Sequence, residues 1–132
     1  MKEIKKIVIE VIPHDKHRYS GTIGDYWRDP DGTIQIRVSD MSRNEYSLLI
    51  AIHEAVEVML IEHRGIQETF IQTFDKLFEK DREEGNEDEP GDDPLAPYHQ
   101  EHCIATAVER LMCAEFFQSW KKYEEDCVRV EK

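Results

Sequence analysis

The chain has 132 residues, a length that fits one compact domain, and 39% of them are apolar, enough for a modest core. A formal net charge of −12 argues against nucleic acid phosphates and anionic membrane surfaces as partners. No run approaches the roughly 18 uncharged apolar residues that a membrane span needs.

Along the chain, Ile7, Ile9 and Val11 alternate with Lys6, Val8 and Glu10, the period of a half-buried strand, and Pro13 ends it. Glu10 interrupts the apolar run and no small-residue cleavage site follows, so the start reads as a strand and not as a signal peptide. Asp29-Pro30-Asp31-Gly32 is a turn signal between "TIGDYWR" and "TIQIRVS", which predicts a hairpin. In its second strand Ile34, Ile36 and Val38 face one way. Ser42 with Glu45 three residues on forms a capping box, and Gly65 supplies a C′ stop, so a helix is predicted over 42–64. It is apolar on nearly every face and is expected to be central and buried. A second helix is predicted over 66–79, with Ile66, Phe70, Phe74, Leu77 and Phe78 at helical spacing. Residues 80–97 read as an acidic, mobile loop, and residues 79–93 hold nine acids against two bases. A solvated role is the plain reading of that run, and a lid over a site the sharper one. A long last helix is predicted over 98–124. The sum is a single domain, 1–132, of α+β class: strands and hairpin in 1–40, then a small antiparallel or mixed sheet packed on three helices.

Cys103, Cys113 and Cys127 are odd in number and form no C-x-x-C pair, which argues against a disulfide framework and points to a reducing cytoplasm. They read as packing residues.

The informative stretch is "LLIAIHEAVEVMLI", 48–61. An unpartnered buried polar group costs about 1–3 kcal/mol, and a bare charge more, so His53, Glu54 and Glu57 need partners there. His53 and Glu57 are four apart and share one helix face, while Glu54 is rotated by about 100°. Downstream, "PYHQEHCIATAVER" sets His99, His102, Thr106, Glu109 and Cys113 at steps of three and four. If this stripe packs against His53 and Glu57, one histidine completes a metal shell, with His102 preferred to His99. Glu109 would orient a ligand or serve as one. Plainer roles stay open: a buried hydrogen-bonded His53/Glu57 pair, an ion pair from Glu54 to Arg110, and solvent-facing His99 and His102. His63 and Arg64 suit the helix dipole, and His14 and His17 lie in a polar loop.

His53-Glu54-x-x-Glu57 resembles the His-Glu-x-x-His helix of zincin metalloproteases, with a carboxylate in the second ligand position, which zinc accepts. "HEAVE" with a later "PYHQEH" is also similar to a family of uncharacterised phage and prophage proteins, over about residues 40–120. That resemblance implies a zincin-like helix core, a metal site and, for a phage protein, the cytoplasm of a bacterial host, but no substrate. The expected function is a small zinc-dependent hydrolase, most simply a peptidase, although other divalent ions suit a His/Glu shell. Glu54 would be its general base and His53, Glu57 and His102 its ligands. Tyr98 or His99 would steady the oxyanion. An extended peptide would lie along the edge of the 33–38 strand. Two alternatives remain. One is a non-catalytic metal-stabilised scaffold or host-protein binding module. The other resembles the all-helical nucleotide pyrophosphohydrolases, with Glu54, Glu57 and Glu109 holding Mg²⁺.

Overall fold

The turn at Asp29–Gly32 fixes the sheet. Gly32 takes φ 91°, and Asp31 Oδ1 accepts the Thr33 N–H at 3.0 Å. The strands on either side, β2 (Gly24–Arg28) and β3 (Thr33–Ser39), pair antiparallel with Tyr26 opposite Ile36. β1 (Lys6–Ile12) joins the other side of β3 in parallel, so the sheet is mixed, of order β1-β3-β2. The structure, a computed structural model, describes residues 3–131. The ends of the predicted domain, residues 1, 2 and 132, lie outside them.

β3 is therefore the central strand, and the 33–38 edge expected to receive a peptide is occupied on both sides. The free edge beside the helices belongs to β2. Ile34, Ile36 and Val38 are buried beneath α1 (Asn44–Arg64), as their alternation predicts. Ile7, Ile9 and Val11 stand opposite them in register yet stay exposed, because α1 packs over β3 and β2.

α1 ends at Gly65, whose φ of 69° is the left-handed stop expected of it. Its start differs from expectation. Arg43 is the N-cap, and Ser42 donates to Asp126 Oδ2 at 2.8 Å instead of closing a capping box. Nor is α1 buried all round. Leu48 and Met59 are about half exposed on its outer side, because one small sheet and one packed helix cannot cover every face.

α2 (Glu68–Lys80) turns Ile71 inward and leaves Phe70 and Leu77 exposed. The predicted last helix is two helices, making four α-helices among the described residues: α3 (His99–Glu115) and α4 (Trp120–Glu131). Phe117 breaks the helix at φ 55°, and Ser119 Oγ accepts the Lys122 N–H to start the next one. The break has a packing cause. It folds α4 back so that Trp120 and Tyr123 reach the core, where Tyr123 is buried against Tyr46. Phe117 itself is 96% exposed in a left-handed conformation. Phe117→Gly is therefore expected to raise stability by about 1 kcal/mol, read as a higher urea midpoint.

The acidic segment is more ordered than its composition suggests. A 3-10 turn spans Pro90–Asp92, and Gly91 and Ala96 are buried. No helix among the described residues is long and apolar enough to cross a membrane.

Candidate metal centre

α1 and α3 pack side by side and bring their polar stripes together. Glu109 Oε1 meets His53 Nδ1 at 2.8 Å. The other ring nitrogen, His53 Nε2, lies 3.0 Å from Glu57 Oε2. His102 Nδ1 lies 2.9 Å from that same oxygen. Two imidazoles thus converge on one carboxylate, their ring centroids 4.8 Å apart, and all four side chains are buried. The second Glu57 oxygen accepts the Tyr26 hydroxyl at 3.0 Å, and Glu109 also accepts the Tyr123 hydroxyl.

The network sets the charges. Burial opposes a charged His53, but its hydrogen bonds to Glu109 and Glu57 outweigh burial and hold it up at about 12. Burial likewise works against charged His102, and Asp92 with Glu57 raises it to about 10. Burial would lift Glu57, yet the two histidines hold it at about 2.

Glu54 is treated differently. It has no ion pair among the described residues, and Arg110, its alternative partner, lies over the Trp120 ring. Its carboxylate rests on Gly24, where a Cβ would come within 2.5 Å of Oε1. Burial, followed by the charge of Glu57, pushes its pKa well above the usual carboxylate range. Glu54 thus combines a raised proton affinity with the absence of an ion pair among the described residues, and His53 is the imidazole whose charge it feels.

The two histidines of α3 part company. His102 enters the cluster, whereas His99 Nδ1 meets the Gly91 carbonyl at 2.9 Å. Tyr98 is buried and donates to Asp75 Oδ1 at 2.6 Å, so its hydroxyl is engaged. Burial lifts Asp75 to about 6 against that hydrogen bond. His14 and His17 both contact Ser39 Oγ at 2.9 Å, and Arg64 pairs with Glu101. Cys113 is buried, with its Sγ near the Gln118 carbonyl.

Sequence reasoning missed several participants. Glu89 and Asp92 come from the acidic segment. Asp92 Oδ1 lies 3.0 Å and Glu89 Oε2 3.4 Å from His102 Nε2. Gly91 allows this approach, because a Cβ there would stand 2.4 Å from the His102 ring. The Glu-Pro-Gly-Asp turn signature inside the acid run was the available clue. Tyr26 and Tyr123 carried none, since only tertiary packing brings them to Glu57 and Glu109.

The donor set suits a divalent ion. Ligand atoms of His53, Glu89 and His102 lie within 4.8 Å of one another, with Glu57 between the rings, and imidazole with carboxylate is a zinc set. The cluster opens on a cleft of about 1000 Å³ lined by β2, α1, α2 and the acidic segment. That is more room than the chain length suggests. Comparison of the chain with known protein families, with curated proteins and with solved structures finds no match.

Proposed function

We propose that the chain is a zincin-like metal-dependent hydrolase of polypeptides, with Glu54 as general base and His53, Glu57 and His102 as metal ligands. The observation that carries this reading is the convergence of two buried imidazoles on Glu57, along the helix from Glu54, which has no ion pair among the described residues, in the lining of an open cleft. A bound zinc ion would supply Lewis acidity and a lowered pKa for water near neutral pH. The chain supplies the rest. Glu109 takes the Nδ1–H of His53, which fixes the ring and leaves Nε2 as the ligand atom. Tyr26 pins Glu57 from the opposite side. Glu54 accepts the proton of the attacking water and returns it to the leaving amine.

The place for an extended peptide is the β2 edge. The bonds Ser39 N–H to Ile23 O and Asp29 N–H to Thr33 O set the phase of the ladder. Odd-numbered residues of β2 then bond β3, and Tyr26 and Arg28 turn their N–H and C=O groups outward along the cleft. Full-length zinc-loaded protein incubated with an unfolded polypeptide should yield new termini by mass spectrometry, and a chelator should stop this. No cleavage across a broad panel, or cleavage indifferent to chelation, would overturn the reading.

Binding should be linked to pH. His53 and His102 titrate near 12 and 10, so without an ion both are protonated at pH 7. Ligating imidazoles are neutral, so uptake releases a proton from each. Apparent affinity then rises with pH, about 100-fold per unit through neutrality, and levels off as His102 and then His53 titrate. Calorimetry in buffers of different ionisation enthalpy reads the released protons, and an enthalpy independent of buffer would contradict this. A second reading, the metal-stabilised scaffold, is favoured by the nearness of His53, Glu89 and His102, because an ion held by these three would tie α1, α3 and the acidic segment together.

A further inference from the structure

The far edge of the sheet, β1, lines neither the cleft nor the candidate metal centre. β1 packs on β3, and no strand among the described residues pairs with its other side. The Ile12 carbonyl accepts the Asp40 N–H at 2.7 Å, which sets the phase of the strand. Even-numbered residues of β1 then bond β3, and Ile7, Ile9 and Val11 turn their N–H and C=O groups outward. The side chains of these three stay exposed on the face that continues the apolar row of β3. The opposite face of β1 carries Lys6 and Glu10, with Glu10 3.7 Å from Arg37 Nε. Charge also sets this edge apart. The chain carries −12 in all, yet residues 3–12 hold two lysines against two glutamates, so two copies repel least here.

We propose that β1 is a self-association edge, to which a second copy of this chain adds its own β1, antiparallel, about a two-fold axis at Val8. In this register Val8 faces the partner's Val8, Ile7 faces the partner's Ile9, and Lys6 faces the partner's Glu10. The outward groups of Ile7 and the partner's Ile9 exchange hydrogen bonds. Lys6 and the partner's Glu10 fall at a non-hydrogen-bonded position, where facing side chains come closest. Charge selects the register. A slip of one residue sets outward backbone groups against inward ones. A slip of two puts Lys6 and Glu10 opposite apolar residues, and a slip of four sets Lys6 on the partner's Lys6 or Glu10 on the partner's Glu10. Two rows then run across both copies. On one face stand Ile36, Ile9, the partner's Ile7 and the partner's Ile34, and on the other Arg37, Glu10 and the partner's Lys6 alternate in sign. The two-fold uses up the β1 edge and closes at a dimer, with β2 and the cleft left open at the two outer edges of a six-stranded sheet.

The test is analytical ultracentrifugation of the untagged full chain as wild type, Lys6→Glu and Glu10→Lys, at up to about 100 µM, a range suited to a small interface. Wild type should sediment as a dimer. Each substitution sets like charges face to face in both symmetry-related pairs and should raise the dimer dissociation constant at least about tenfold. An equimolar mixture of the two variants should regain the dimer, because opposite charges then meet at both pairs. A wild type that stays monomeric at that concentration would overturn the inference. So would a dimer that neither substitution weakens, or two weakened variants that do not recover on mixing. Both side chains are exposed on an edge strand, and circular dichroism of the variants is expected to match wild type. Ile9→Pro removes an outward N–H that β3 does not use, so it should leave the chain folded and monomeric. A folded Ile9→Pro chain that still dimerises as wild type does would also sink the proposed pairing.

Discussion

Glu54→Gln is expected to lower kcat on any polypeptide substrate by about 100- to 10,000-fold while zinc content stays at the wild-type level. The substitution keeps the shape of the side chain and removes its ability to accept a proton. Glu54 makes no ion pair among the described residues, so no partner is orphaned by the change. Its carboxylate lies against Gly24, a contact that an amide of the same size can keep. Its proton affinity is raised by burial and by the neighbouring charge of Glu57. Replacing that charge should leave the melting temperature unchanged or higher. The pairing of lost turnover with unchanged stability and metal is what separates a catalytic carboxylate from a structural one. Full activity in the variant would remove Glu54 from the mechanism. Loss of zinc would make it a ligand instead.

The second large effect concerns the ion. Untagged protein is expected to carry about one zinc per chain by elemental mass spectrometry, and Glu57→Ala and His102→Ala to carry almost none. Glu57 Oε2 is the oxygen on which both rings converge, so its loss removes a donor and separates the histidines. Each variant also strands buried charge, at a cost of about 3–5 kcal/mol. A drop in stability alone is therefore not diagnostic. The response to zinc is diagnostic: added zinc should raise the wild-type melting temperature and leave both variants where they are. A wild type without zinc, and indifferent to it, would mean a hydrogen-bonded polar network at the heart of the fold.

Much of this arrangement could be read from spacing. His53 and Glu57 are one turn apart, and His102 and Glu109 are two turns apart, so any packing of the two stripes brings all four together. The alternation in 33–38 gave the buried strand face, and Gly65 gave the helix stop. What escaped was set by distance along the chain. The central place of β3 depends on β1 crossing to pair in parallel, which no local pattern encodes. Ser42 lies one residue before the N-cap, and its hydroxyl donates to Asp126, far along the chain. The break at Phe117 occurs at a residue with no turn propensity, driven by the gain from burying Trp120 and Tyr123. Glu89 and Asp92 were hidden among other acids, where composition cannot tell a solvated carboxylate from an engaged one.

The hydroxyl of Tyr123 carries a further consequence. It belongs to α4, yet it completes the set of partners around Glu109, and through Glu109 it holds the ring of His53. During synthesis α1 and α3 emerge before α4 and can already pair. Until α4 docks, Glu109 lacks the Tyr123 hydroxyl, and one of the constraints on the His53 ring is missing. On the proposed reading, high-affinity zinc uptake is therefore expected to require the docking of α4. A chain that lacks α4 is then expected to hold zinc poorly, and tight zinc binding to report that α4 has docked.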